Sequence, residues 1–375
     1  MSTDFHKFNH DLLLDEASQN LARDTYPEIF FLLFDEYLIG KFAPIDRRAN
    51  SRKRKAQTYG LLAILLAVTS LLGSAVAPIL HAHGNKLLET TIIVISVATG
   101  LLAVTLGCSS ILYGSAKRKW IYDRLKTEKL RQLHFQRFFL NITDTLKALK
   151  GQKTIDDYFR ERNSWTDQVS QRINKVADSE IMQITATDGH IEPWLPKSIS
   201  QNVVDARNEA VRSLEKLNSD QKRQIYDAYL HLRLRHQADY ALHKLAGHGE
   251  IVGRLTLLKM AASVAFVIAI LVHVLILFAV FNFPKHIESL HVVALSAFVV
   301  AVGAEKLIEG LGLNSSRIRY KEYAAKMSSL MNRFIDSCQM NETDEIVGIM
   351  IDTERAAFEE MREFVRTYDE SSFVM

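Results

Sequence analysis

Four long apolar stretches dominate this 375-residue chain: "YGLLAILLAVTSLLGSAVAPIL" (59–80), "LLETTIIVISVATGLLAVTLGCSSILYG" (87–114), "MAASVAFVIAILVHVLILFAVFNF" (260–283) and "SLHVVALSAFVVAVGAEKLIEGLGL" (289–313). Each holds a run close to the roughly 20 apolar residues a helix needs to cross a bilayer. Uncharged runs of that length read as membrane helices before they read as the core of a soluble bundle. They come in two pairs, each joined by a short polar tip. The predicted fold is therefore all-α: a polytopic membrane protein with four transmembrane helices as two hairpins and a helical cytoplasmic body. Along the chain this gives N-terminal cytoplasmic helices at 1–56, a first hairpin at 57–114, a cytoplasmic helical region at 115–253, a second hairpin at 254–313 and C-terminal cytoplasmic helices at 314–375.

Flanking charge orients the hairpins. Arg47, Arg48, Arg52, Lys53, Arg54 and Lys55 precede the first, Lys117, Arg118 and Lys119 follow it, and Lys86 alone lies in its tip. Lys244 and Arg254 precede the second, Arg317, Arg319 and Lys321 follow it, and Lys285 alone lies in its tip. Basic residues collect on the cytoplasmic side. Both termini and the long middle are accordingly expected in the cytoplasm, with the protein multi-pass in a cell inner membrane. The first apolar run begins behind a long polar segment and lacks the charged lead of a secretory signal.

Lys plus Arg total 46 and Asp plus Glu 43. That near balance argues against direct nucleic-acid binding, which brings a strong basic excess. Two cysteines, Cys108 and Cys338, are too few and too far apart for a disulfide framework or a zinc cluster. There is no P-loop, no GxGxxG after a strand, no HExxH and no GxSxG. No catalytic residue, cofactor or metal site is predicted. "HAH" (81–83) lacks an acidic or cysteine partner and reads as a polar loop.

Outside the hairpins, 9–42 reads as helical, with "EIFFLLF" too short to span and expected to pack on the protein. The segment from "AKRKWIYDRL" shows no proline or glycine until Gly151 and predicts one long helix continuing helix two. "EPWLPK" (192–197) is a breaker. "NSDQ" (218–221) has the spacing of a capping box, with Asn218 as the cap. The helix it starts is expected to feed helix three, with Gly247, Gly249 and Gly253 as bends. Two further helices follow residue 315, parted near "CQMNETDE".

Ser96, Gly100, Ala103, Gly107, Ser110 and Gly114 recur at spacings of 4, 3, 4, 3 and 4, a seam of small residues only. Ser296, Gly303 and Gly310 repeat every seven in helix four. Small faces let helices approach closely in lipid, so the seam predicts helix contact and oligomerisation. A shift of 196 residues superposes the two glycine series and lays "QRF" (136–138) on "NRF" (332–334). Internal duplication and shared membrane constraints both account for this.

Helix four carries charge. Ser289–Ala304 is 16 residues, about 24 Å of helix, short of the roughly 30 Å hydrocarbon core. Glu305 and Glu309 share a face that runs back through Ala301 and Ala297. They are either candidate carboxylates at the inner mouth of a cation pore or the wet end of an interfacial helix, with Lys306 snorkelling. His273, mid-helix in "AILVHVLIL", is either an intramembrane proton relay or a neutral histidine bonded to a neighbouring helix.

"KRKWIYDRLKTEKLRQLHFQRF", with Trp120, Arg124, Glu128 and Arg131 after two closely spaced membrane helices, resembles the SLATT group, two-transmembrane effector domains found beside bacterial nucleotide-second-messenger defence genes. The basic "RRANSRKRKAQTYG" before helix one adds to it, so the resemblance covers about 45–140. A fainter echo at 250–335 lacks the tryptophan. The resemblance implies homo-oligomerisation in the inner membrane and permeabilisation on a cytosolic signal, from a protein or a nucleotide, in antiphage defence. The chain departs from that pattern in having four spans and a large helical insert. The function expected is thus an oligomeric membrane effector or channel-like protein. A non-conducting scaffold or receptor subunit and a proton-coupled transporter are the alternatives.

Overall fold

The computed structural model describes residues 10–82, 85–108, 115–175, 203–246, 250–282 and 287–370. Among the described residues the fold is all-α, with no strand. In chain order the helices are α1 (Glu16–Thr25), α2 (Phe30–Leu33), α3 (Glu36–Ala82), α4 (Lys86–Cys108), α5 (Ser115–Leu140), α6 (Ile142–Leu149), α7 (Ile155–Lys175), α8 (Val203–Glu215), α9 (Ser219–Tyr229), a π-helical segment (Leu230–Arg235), α10 (His236–Leu245), α11 (Glu250–Asn282), α12 (Ile287–Gly310), α13 (Leu313–Met340) and α14 (Thr343–Glu370). Four of these carry windows long and apolar enough to cross a membrane, in α3, α4, α11 and α12. The chain forms two compact units. One, the body, is Met1–Ala49, Ile121–Lys244 and Arg319–Arg366; the other, the apolar unit, is Asn50–Trp120, Leu245–Ile318 and Thr367–Met375.

In the apolar unit the two hairpins have different seams. α11 and α12 run antiparallel: Ile276 and Val272 cluster with Ala294 near one end, and Leu255 with Ile308 and Leu313 near the other. α3 and α4 meet through small residues. Ser70 donates its hydroxyl to the Ser96 carbonyl at 2.7 Å, and a methyl added at Gly100 would stand 2.7 Å from Ser70 Oγ. The rest of α4 turns outward: only 11% of its apolar window is buried in the protein. Leu257, Val264, Phe266, Leu271 and Leu277 of α11 are likewise exposed. Soluble monomers do not expose continuous apolar surface on this scale; lipid accounts for it.

The body is built around α5. Every residue from Leu130 to Phe139 is buried, five of them polar or charged. Over Leu130–Phe139 α5 is therefore enclosed on every face, whereas Arg118 and Lys119 near its start are exposed. The single long helix expected as far as Gly151 is corrected. α5 ends at Leu140, and Asn141, at φ −114°, opens α6. Asparagine competes poorly for the helix interior, and its carbonyl accepts instead from Asp144 and Thr145 N–H. Whether α5 continues α4 falls on residues 109–114, outside the described set, as do "EPWLPK" and the bends Gly247 and Gly249.

Local signals behave as their chemistry dictates. The Asn218 side chain accepts from Gln221 N–H at 2.8 Å, capping α9. The expected break after α13 falls at Asn341, at φ +57°, a left-handed position that asparagine tolerates. α12 ends at Gly310, and the turn to α13 passes through Gly312 at φ +59°, where a side chain would be strained. "EIFFLLF" packs within the body, as expected, with Ile29, Leu32 and Leu33 fully buried.

Candidate functional site

Arg124, Glu128 and Arg131 recur at helical spacing on α5 and form one ionic chain. The Glu128 carboxylate accepts from Arg131 Nη1 at 2.5 Å and pairs with Arg124 Nη2 at 2.5 Å. Arg131 Nε stands 2.9 Å from Asp11 Oδ2, and Arg233 Nη1 approaches the same oxygen at 3.9 Å. Arg233 is held by the π-helical segment in a two-pronged pair with Glu354 of α14, 2.7 Å on each arm. Tyr229 donates to the Met350 carbonyl at 3.2 Å and to Glu354 at 3.3 Å. Three arginines thus meet three carboxylates in the interior. Burial alone would raise the Glu128 carboxyl, but Arg124 and Arg131 outweigh it and hold it below the usual range. Both arginines move the other way: burial opposes their charge, and their carboxylate partners reverse that.

Trp120 serves differently. It lies in the apolar unit, 4% exposed, with its ring edge-on to Tyr368 at 4.7 Å.

A second cluster centres on Asp35. Its carboxylate pairs with Arg137, lies 3.3 Å from Arg162 Nη2 and caps Leu38 N–H at 3.0 Å. Arg137 also donates to Thr166 Oγ1 at 2.7 Å. Arg162 donates to the carbonyls of Phe31 and Phe34, at 3.0 and 3.1 Å, fastening α2. On α5 beside Arg137 sits His134, wholly buried, with neither ring nitrogen meeting a hydrogen-bond partner among the described residues. Burial first, and the Arg137 charge second, push its pKa down to about 3, so it is neutral.

The membrane candidates lie apart from both clusters in the chain. Glu305 and Glu309 are exposed, and Lys306 donates to Glu309 at 2.7 Å. Ala301 is buried, yet the buried stripe of α12 continues through Ala304 and Ile308, leaving the two glutamates off it. Among the described residues His273 bonds its own helix: its Nδ1 donates to the Ala269 carbonyl one turn back, at 2.7 Å. On α4, Ser96 and Ala103 are buried and Gly100 is half-buried, while Gly107 lies in the helix. Ser110 and Gly114 fall outside the described residues. In α12 Ser296 is half-buried, and Gly303 and Gly310 are buried.

Sequence reasoning missed Asp11, Asp35, Arg137, Arg162, Arg233 and Glu354. Their signal is a charge set in an apolar run, as in "FFLLFDEY" and "HFQRFFL". It also missed Gly73, where an added methyl would collide with the Ser96 hydroxyl, and Val68, whose Cγ2 would lie 2.6 Å from a methyl at Gly303. The seam is thus held from α3 as well as from the small residues of α4. Comparisons with family models, with curated proteins and with solved structures give no match for this chain.

Proposed function

We propose that the protein is an oligomeric membrane effector of channel type, multi-pass in a cell inner membrane with both termini cytoplasmic, whose helical body receives a cytosolic signal from a protein or a nucleotide and gates the membrane helices. The observation that carries this is the division of labour in the chain. α3, α5, α13 and α14 each contribute residues both to the charge-cored body and to the apolar unit. The side chains of the SLATT-like segment lend support: Arg131 is buried, and Arg124 and Glu128, partly buried, join it in one ionic network. Such networks have discrete alternative pairings, which suits a two-state element.

The test is flux from liposomes containing the purified protein. Leak of a small cation on addition of cytosolic extract from infected cells supports the reading. No leak under any trigger replaces it with a non-conducting scaffold. Glu305→Gln together with Glu309→Gln should lower cation preference if the pair lines an inner mouth; unchanged selectivity places them at the interface instead.

A further inference from the structure

Asp11 reaches the interior from a short non-helical segment, residues 10–13, that leads into α1. It is wholly buried, as are Leu12 and Leu13. Leu13 sits at φ +53°, a left-handed conformation that a leucine adopts only under constraint. The backbone bonds of this strap are local. Leu13 N–H donates to the His10 carbonyl at 3.1 Å, and the Gln19 amide donates to the Leu13 carbonyl at 2.9 Å. The strap meets other helices through Asp11 and through the His10 ring, which lies 5.9 Å from Phe42 and 6.0 Å from His236.

The carboxylate fits its place poorly. Three donors converge on the single oxygen Oδ2: Arg131 Nε at 2.9 Å, Gln237 Nε2 at 3.3 Å and Arg233 Nη1 at 3.9 Å. Only the amide makes a hydrogen bond. Arg131 Nε and Arg233 Nη1 are buried with no hydrogen-bond partner among the described residues, although both side chains are at least nine-tenths enclosed. The Gln237 amide is already oriented, because its oxygen accepts from Tyr323 at 3.0 Å. Two guanidinium groups, otherwise paired with Glu128 and Glu354 but each keeping one buried nitrogen without a hydrogen bond, and a fixed amide form a cradle for an ion with several oxygens. A tetrahedral oxyanion offers separate oxygens to donors that now compete for one, and charge-assisted bonds to arginine favour it.

We infer that Arg131, Arg233 and Gln237 form a binding site for a phosphate group, which Asp11 fills as a built-in substitute, so that anion and N-terminal strap exclude one another. Inorganic phosphate and a phosphate monoester share this chemistry. The inference concerns the body alone and holds whether or not the apolar unit conducts.

The test uses the full-length protein in detergent, with inorganic phosphate or a nucleoside monophosphate titrated against chloride at matched ionic strength. Asp11→Ala removes the competitor and should raise apparent affinity at least tenfold over wild type, read by calorimetry. Adding Arg233→Met to Asp11→Ala should abolish the gain. In the wild type, saturating anion should speed amide exchange at residues 10–13 while leaving α14 protected. If Asp11→Ala cannot be isolated, Asp11→Asn keeps the shape, loses the charge and should show the same direction of change. A response to the monoester alone assigns the site to a larger phosphorylated ligand, and a response to both assigns it to the phosphate group itself. Equal affinity in wild type and variant, or none in either with unchanged strap exchange, overturns the proposal and leaves an ordinary buried ion pair.

Discussion

The two units solve opposite solvation problems with the same residue types. In the body, arginines and carboxylates are buried and paired across long stretches of chain, as with Arg233 and Glu354, 121 residues apart, and Arg137 and Asp35, 102 apart. In the apolar unit, charges at helix ends pair with near neighbours, Lys306 with Glu309, and His81, which lies in α3 rather than in the expected polar loop, with the acidic Glu89 at 3.0 Å, while leucines and phenylalanines face outward. A buried charge that loses its partner stays desolvated and becomes expensive; an exposed one falls back on solvent. The difference says where each charge matters: those buried in the body hold the fold, and those exposed at the helix ends are free to serve something else.

The sharpest break in that comparison is Asp35→Ala. It strands Arg137 and Arg162 in the interior and removes the cap on Leu38. The loss should be about 3–5 kcal/mol, the range for orphaning one partner of a buried pair, read by chemical denaturation in detergent. A loss below about 1 kcal/mol would mean that water enters this cluster and that the body's charges behave like surface charges.

His134 gives the next effect, through pH. It is neutral in the folded protein down to about pH 3, whereas in the unfolded chain an imidazole titrates near 6.5, so about one proton separates the two states between those values. As pH falls below about 6.5 the unfolded state takes up a proton that the native state refuses. Stability is then lost at up to roughly 1.4 kcal/mol per pH unit. Asp11 and Glu128 act in the same direction lower down. Burial raises both carboxyls, but arginine partners outweigh it and hold them below the usual range. Their contribution is present above the unfolded carboxylate pKa and is lost as pH falls from there through the lower folded value. His134→Leu should therefore flatten the stability profile between about pH 6.5 and 4.5 and leave the steeper acid limb in place. An unchanged slope in that window would show that His134 has access to water.

The chain's spans, its all-α fold, the Asn218 cap and the break at Asn341 were legible because each is a local signal: a long apolar run, a side chain three residues from the N–H it caps, a residue that tolerates left-handed backbone. The body's interior was not. Arg131, His134 and Arg137 sit where a buried helix face would normally show leucines, and nothing in "LRQLHFQRFF" names carboxylates more than a hundred residues away. The seam was half legible. The small residues of α4 were visible as a repeat, but Ser70, Gly73 and Val68 on α3 belong to no such repeat and emerge only when the helices are set side by side.

Within the apolar unit, Gly303→Leu tests whether close approach, rather than charge, holds the helices. The new side chain must enter space held by Val68, and overpacking of this kind costs about 1–3 kcal/mol. The expected readout is a lower thermal midpoint in micelles, partly rescued by Val68→Ala. Failure of that rescue would remove the α3–α12 contact as the cause.

The smallest effect is the most informative about function. Glu309→Gln removes an exposed carboxylate whose partner, Lys306, sits one turn away. Exposed pairs of this kind are worth about 0–1 kcal/mol, so the thermal midpoint should barely move. Asp35→Ala and Glu309→Gln each delete one negative charge, and the body's variant should unfold far more readily. If Glu309→Gln destabilised as much as Asp35→Ala, the α12 end would be buried against something, and its charge would be structural like those around α5. If stability holds while cation leak from liposomes changes, the glutamate's role is in permeation. The two measurements on one variant thus separate a charge that keeps the protein folded from one that acts on what passes it.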